Sequence, residues 1–212
     1  MGVVTEGKNN RLSISGLVLE AFFVVLGVFL AIAANEWREQ KDREAHAAAA
    51  REGILAEIEE NKKAVEAAFS YHAELLKTLN QFAQDKAAGK TEREYPERSV
   101  FYRGFAQPAR VVTTAWDAAR ETDALRYMNY EDVLQFSQIY ALQRNYELQA
   151  QIVGQVFYGA MLAEGVEGIQ RNYAHLSEII GTFWYREKQL VESYQQGLDS
   201  LNSGVKAPDS HP

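Results

Sequence analysis

The stretch LSISGLVLEAFFVVLGVFLAIAAN, Leu12–Asn35, decides how this chain is read. It holds one charged residue, Glu20, and is followed at once by Glu36, Trp37 and Arg38. At about 1.5 Å per residue, a helix over these positions reaches roughly 36 Å, enough to cross a ~30 Å hydrocarbon layer with some tilt. The apolar part outruns the ~7–15 residues of a signal-peptide core. Ala31 and Ala33 imitate a cleavage site, but the helical pattern continues through Trp37. An uncleaved anchor is therefore expected rather than a removed signal. The sequence predicts a transmembrane helix over 12–37, preceded by a polar tail at 1–11.

The faces of that helix differ. At about 100° per residue, Ser13, Gly16, Glu20, Gly27, Ala31 and Ala34 fall within an arc of roughly 60°. Val18, Phe22, Val25, Phe29 and Ile32 lie opposite. Small residues let two membrane helices approach closely, and a polar side chain among them can hydrogen-bond across the contact. Gly16, Glu20, Gly27, Ala31 and Ala34 are thus the expected contact with a partner helix. A carboxylate in such a run is costly, which makes Glu20 a functional-site candidate. It faces a partner helix or a wet cavity, or else it lies at headgroup level in a span that begins near Ala21. A proton or ion pathway through Glu20 is a further reading, though no second ionisable group accompanies it. Asn35, Trp37 and Arg38 form the expected interfacial anchor, since indole rings favour the headgroup zone and arginine reaches phosphates.

Outward from the anchor, Glu36 to Ala88 contains no proline and one glycine, Gly53, so the helix should continue unbroken. Leu55, Ile58, Lys62, Val65, Phe69, His72, Leu76, Leu79 and Ala83 follow the alternating four-three spacing of a bundle seam, with Ile54, Leu75 and Phe82 widening the stripe and Lys62 and His72 as breaks. Residues 87–99 read as a loop carrying Gly89 and Pro96. Thr114 and Asp117 have the spacing of a capping box for a short helix over 115–124. Asn129–Asp132 repeats the start signal for a long helix to about Glu164, interrupted by Gly165 and Gly168. The last helix, 170–201, places Leu176, Ile180, Phe183, Leu190, Tyr194, Leu198 and Leu201 on one face. The expected fold is all-α: one N-terminal transmembrane helix continuing into an antiparallel helical bundle domain over 38–201, with a disordered tail at 202–212.

Composition narrows the chemistry. The net charge is −7, and all but one unit of it lies beyond Trp37. Without a basic stripe, nucleic acid is not an expected partner. Cysteine is absent, which removes thiol nucleophiles, thiolate metal sites and disulfides. His46, His72, His175 and His211 have no metal-ligand spacing, so no metal or cofactor is expected. His72 reads as a satisfied core histidine. The pairs Glu59–Glu60 and Glu131–Asp132 read as solvated helix surface. No Gly-x-Ser-x-Gly, P-loop or Gly-x-Gly-x-x-Gly motif occurs, and no catalytic residues are expected. The aromatics beyond residue 100, among them Tyr127, Tyr130, Phe136, Tyr140, Tyr146, Phe157, Tyr158, Tyr173, Trp184, Tyr185 and Tyr194, read as core and core edge. A tyrosine-lined ligand cleft is the alternative.

The segment LEAFFVVLGVFLAIAANEWREQKDREA carries a resemblance. Glu20, Gly27, Val28, Ala31, Asn35 and Trp37, with the later Ala115-Trp116-Asp117, resemble the DUF6090-like family of bacterial single-pass membrane proteins. The resemblance is good over about 30 residues and loose elsewhere. It implies a bitopic protein with a helical domain, and supplies no activity and no catalytic residues. Lys8 and Arg11 stand against Arg38, Lys41 and Arg43, so positive-inside counting nearly ties. The short tail before the span and the resemblance favour a bacterial inner-membrane protein with a periplasmic helical domain. The expected role is non-enzymatic: self-assembly, or service as an accessory subunit of a membrane complex. Its expected partners are lipid and a second copy or another membrane protein. A membrane-anchored sensor or ligand-binding module is the rival reading.

Overall fold

The computed structural model describes residues 14–103, 107–160 and 162–203, without side-chain detail at 14–15, 156–160 and 162. Helix α1 runs Ile14–Ala87, α2 Thr114–Glu121, α3 Tyr130–Ala160, α4 Gly165–Arg171 and α5 Tyr173–Ser203. Short 3-10 turns lie at Arg98–Phe101, Ala124–Tyr127 and Leu162–Glu164. Among the described residues there is no strand, so the all-α reading holds. The tail expected at 1–11 lies outside the described residues, as do all but two residues of the one expected at 202–212. Those two, Asn202 and Ser203, belong to α5.

The chain divides into two compact units, Met1–His46 and Ala47–Pro212. In the first, α1 buries nothing: Gly16 to His46 is exposed, apart from the half-buried Arg43. Beyond Trp37 this stretch is held by contacts along its own surface. Arg43 pairs with Glu39 at 2.8 Å and Lys41 with Glu44 at 2.9 Å. Such pairs at i,i+3 and i,i+4 suit a helix that is polar all round.

The second unit is a three-helix bundle. The rest of α1 packs beside α3 and α5, and the contacts give the directions. Arg51 meets Asp132, Glu57 meets Tyr140 and Asn61 meets Gln143, so α1 and α3 run the same way. His72 meets Glu187 and Phe82 meets Tyr173, so α5 runs antiparallel to α1. Tyr194–Gln143 and Tyr146–Glu187 make α5 antiparallel to α3 as well. The connection between α1 and α3 contains Pro96 and Pro108, which cannot sit in a helix interior, and it carries the chain back to the start of the bundle.

The seam of α1 is phased differently from the sequence reading. Its buried row is Ile54, Ile58, Asn61, Val65, Ala68, His72, Leu75 and Leu79, with Ala47, Glu57 and Tyr71 buried beside it. Ile58, Val65, His72 and Leu79 are shared with the expected row. Ile54 and Leu75, expected to widen the stripe, are buried at its centre, and Asn61 and Ala68 are buried where Lys62 and Phe69 are expected. Lys62 is thereby no break in the core: it flanks the seam and pairs with Glu66 at 2.9 Å. The expected face of α5 is buried throughout, with Glu187 and Gly197 added to it. Gly168 does not interrupt the chain but lies buried within α4. The break falls at Gly165, whose φ of +70° is a conformation that favours glycine. The capping box is also replaced. α2 begins at Thr114 after Thr113, whose hydroxyl donates to the Asp117 carboxylate at 2.7 Å.

Candidate functional site

The residues singled out in the apolar helix remain a surface without a protein partner. Gly16, Glu20, Gly27, Ala31 and Ala34 are all exposed, and a Cβ added at Gly16 or Gly27 would meet nothing within 4 Å. The unbroken helix keeps them on one side. Their surroundings are apolar and equally open: Leu17 is 61% exposed, Phe22 58% and Phe29 66%. At the end of this run the expected anchor forms a polar collar. The Asn35 amide donates to Glu39 at 2.6 Å, and Arg38 donates to the Asn35 oxygen at 3.5 Å. Trp37, 67% exposed, stands beside it.

Ionisable and amide side chains are instead gathered inside the bundle, where the sequence reading placed no site. Glu57 on α1 is buried and accepts three hydrogen bonds. Two come from the backbone N–H groups of Ala115 and Trp116, at 2.7 and 3.4 Å, and one from the Tyr140 hydroxyl at 2.6 Å. One turn on, the Asn61 amide donates to the Val112 carbonyl at 2.7 Å, and its oxygen accepts the Val112 N–H at 2.9 Å. Gln143 donates to the same carbonyl, and its own oxygen accepts from Tyr194 at 2.8 Å. Further along, Glu187 accepts from the Tyr146 hydroxyl at 2.9 Å and lies 2.8 Å from His72 Nδ1. The Tyr146 oxygen in turn accepts the Ala109 N–H at 2.6 Å.

These contacts form a clasp around one stretch of chain. The backbone has no regular structure from Ala109 to Thr113 and then opens α2, so its donors and acceptors have no helical partners at first. Side chains of α1 and α3 supply the missing ones, and Glu187 and Tyr194 of α5 hold Tyr146 and Gln143 in turn. Glu57 occupies the place of the expected cap on α2, and its carboxylate meets the positive end of that helix dipole. Burial raises the Tyr140, Tyr146 and Tyr194 hydroxyls well above the usual tyrosine range. The neighbouring Glu57 adds to this at Tyr140, Glu187 at Tyr146 and Glu147 at Tyr194. Tyr71, buried beside Tyr102, is pushed up to about 12.

What such a constellation can do is bounded by its enclosure. Glu187 and His72 have no solvent exposure. The cleft beside Tyr146, about 170 Å³ between α3 and α5, is lined by Tyr146, Asn145, Arg186 and Leu190 among others, and by neither clasp carboxylate. Glu57 holds the backbone of Ala115 and Trp116 directly, whereas Glu187 reaches Ala109 only through the Tyr146 hydroxyl. His72 is a core histidine, as expected, but only half satisfied: its Nε2 is buried without a hydrogen-bond partner. Among the described residues, no cluster of three His, Cys, Asp or Glu could hold a metal ion. Glu59, Glu60 and Glu131 are exposed, while Asp132 leaves the solvated class by pairing with Arg51 at 2.5 Å.

Phe136, Tyr140, Tyr146, Phe183 and Tyr194 are core, whereas Tyr130 and Tyr185 are exposed. The side chains of Phe157 and Tyr158 lie outside the described residues. Trp116 stacks on Tyr140 at 5.1 Å, closing one end of the clasp. The signal for this network was present in the sequence: Asn61, His72 and Glu187 all fall on four-three seam positions between apolar neighbours. No protein-family model, curated protein or solved structure matches the chain.

Proposed function

We propose that this is a non-enzymatic, single-pass protein of a bacterial inner membrane, akin to the DUF6090-like family, with its helical bundle in the periplasm. It acts as a self-assembling or accessory subunit of a membrane complex. One observation carries the reading. An 18-residue window of α1 with mean hydropathy 2.7 has none of its surface buried. Left in water, each such apolar side chain forgoes about 1.5–3 kcal/mol of burial, whereas lipid removes that penalty. The enclosed polar clasp supports a scaffold role for the bundle over a reaction.

The in-membrane contact is assigned to Gly16, Glu20, Gly27, Ala31 and Ala34, and the test is co-purification of two differently tagged copies in mild detergent. Gly27→Leu should reduce the yield at least as much as Glu20→Gln, because an inter-helix hydrogen bond in a membrane is worth only about 0.6 kcal/mol on average. Val25→Leu, on the far side, should leave it unchanged. Equal yields across the series would refute the stripe as a contact. A loss confined to Glu20→Gln would favour an ionisable site over packing.

A further inference from the structure

α3 carries two seams, and the bundle uses one of them. Its inward row, Phe136, Tyr140, Gln143, Glu147 and Ala150, is buried or half-buried. A second row, Leu134, Gln138, Ala141, Asn145, Leu148 and Ile152, repeats the same four-three spacing on the other side, and all six residues are exposed. Leu134 is 46% exposed, Leu148 51% and Ile152 63%, while Tyr130 at 77% extends the row and Leu142 at 44% widens it. Scattered exposed leucines are ordinary on a protein surface; a continuous row over some six turns is not. No member of the row is charged, although the chain carries 22 basic and 29 acidic residues.

We infer that this row is an interface between two copies of the chain, α3 against α3, side by side and in register. A neutral row meets its own copy without like-charge repulsion and offers nothing to a partner recognised by charge. In register, Asn145 faces Asn145 and Gln138 faces Gln138, and each amide has both donor and acceptor for its twin. A single asparagine in such a seam is a known device for fixing register in parallel pairs. The apolar residues of the row expose on the order of 500 Å² per copy, so a symmetric pair covers about 1,000 Å², the lower bound for a specific interface. The inference rests on the self-assembly reading for the identity of the occupant, and adds to it a surface within the Ala47–Pro212 unit.

The absence of cysteine makes the test direct. Full-length protein in native membranes, carrying one of Ala141→Cys, Leu148→Cys or the control Lys77→Cys on α1, is oxidised with copper and air and scored for covalent dimer. Ala141→Cys and Leu148→Cys should each give at least fivefold more dimer than Lys77→Cys, since an in-register pair brings every row position against itself. Adding Leu148→Asp and Ile152→Asp should lower the Ala141→Cys dimer at least fivefold, with helical content unchanged because both positions are exposed. Dimer no greater than the control, or a heteromeric product in its place, overturns the inference. If tagged copies still co-purify in that case, self-assembly through the membrane helix stands alone. If they do not, both readings fall.

Discussion

The same helix, α1, follows opposite rules on the two sides of His46. Before it, apolar residues face outward, with Val24 63% exposed and Leu30 62%; after it, Ile54, Ile58, Val65 and Leu79 are wholly buried. The polar groups invert as well. Gly16–His46 buries none, whereas the bundle encloses Glu57, Asn61, His72, Gln143 and Glu187. A helix is indifferent to its solvent, so the difference is one of surroundings. The first stretch turns apolar side chains outward as far as Ala34 and becomes polar and ion-paired after it. The second has water outside and an interior in which, among the described residues, the buried polar side-chain atoms are partnered, His72 Nε2 and Trp184 Nε1 apart.

The most forceful way to separate the two regions is alkali. Tyr140, Tyr146 and Tyr194 hold their protons far more tightly in the folded bundle than in an unfolded chain, where tyrosine titrates near 10. With folded values raised, their stabilisation is complete below about pH 10 and is lost as pH rises past it. Absorbance at the tyrosinate band should show these tyrosines ionising only together with loss of bundle structure. No tyrosine precedes His46, so the apolar helix should be unaffected. Smooth titration of all eleven tyrosines with the fold intact would break the comparison.

Next in size is Glu57→Ala, which strands two backbone N–H groups and the Tyr140 hydroxyl in the interior. At about 1–3 kcal/mol for each unsatisfied group, a loss near 4 kcal/mol is expected in chemical denaturation. Tyr146→Phe removes the bridge between Glu187 and Ala109 and should cost about 2 kcal/mol. A loss below about 0.5 kcal/mol for Glu57→Ala would show that the clasp does not hold Ala109–Trp116.

The smallest effects concern two glycines of α5. A Cβ at Gly197 would lie 2.5 Å from Cδ1 and 3.4 Å from Cγ1 of the buried Ile139, whereas one at Gly181 meets nothing within 4 Å. Gly197→Ala should therefore destabilise by about 1 kcal/mol despite its better helix propensity, and Gly181→Ala should stabilise by up to about 1 kcal/mol. Thermal melts of the pair, shifting in opposite directions, would confirm how closely α3 and α5 approach.

Helices were legible in the sequence wherever one periodic signal ruled. The apolar run, the proline-free stretch to Ala87 and the α5 face were all read from spacing alone. Spacing misleads where polar residues occupy core positions. Lys62 has an apolar stem and Asn61 has none, and Phe69 is larger than Ala68, so hydrophobic spacing favours Lys62 and Phe69 over the buried Asn61 and Ala68. The clasp escaped for a related reason. Its partners are a backbone segment and side chains up to 115 residues apart, and no local pattern records that pairing. Thr114 and Asp117 have the spacing of a cap for α2, while the acceptor comes from Glu57 on another helix.

The central claim is that the exposed apolar part of α1 lies in a lipid bilayer, and alkaline carbonate extraction of membranes tests it most directly. The full chain should stay in the pellet even at a pH that loosens the bundle, while a chain beginning at Ala47 should be released to the supernatant. Release of the intact full-length chain by carbonate would contradict the account.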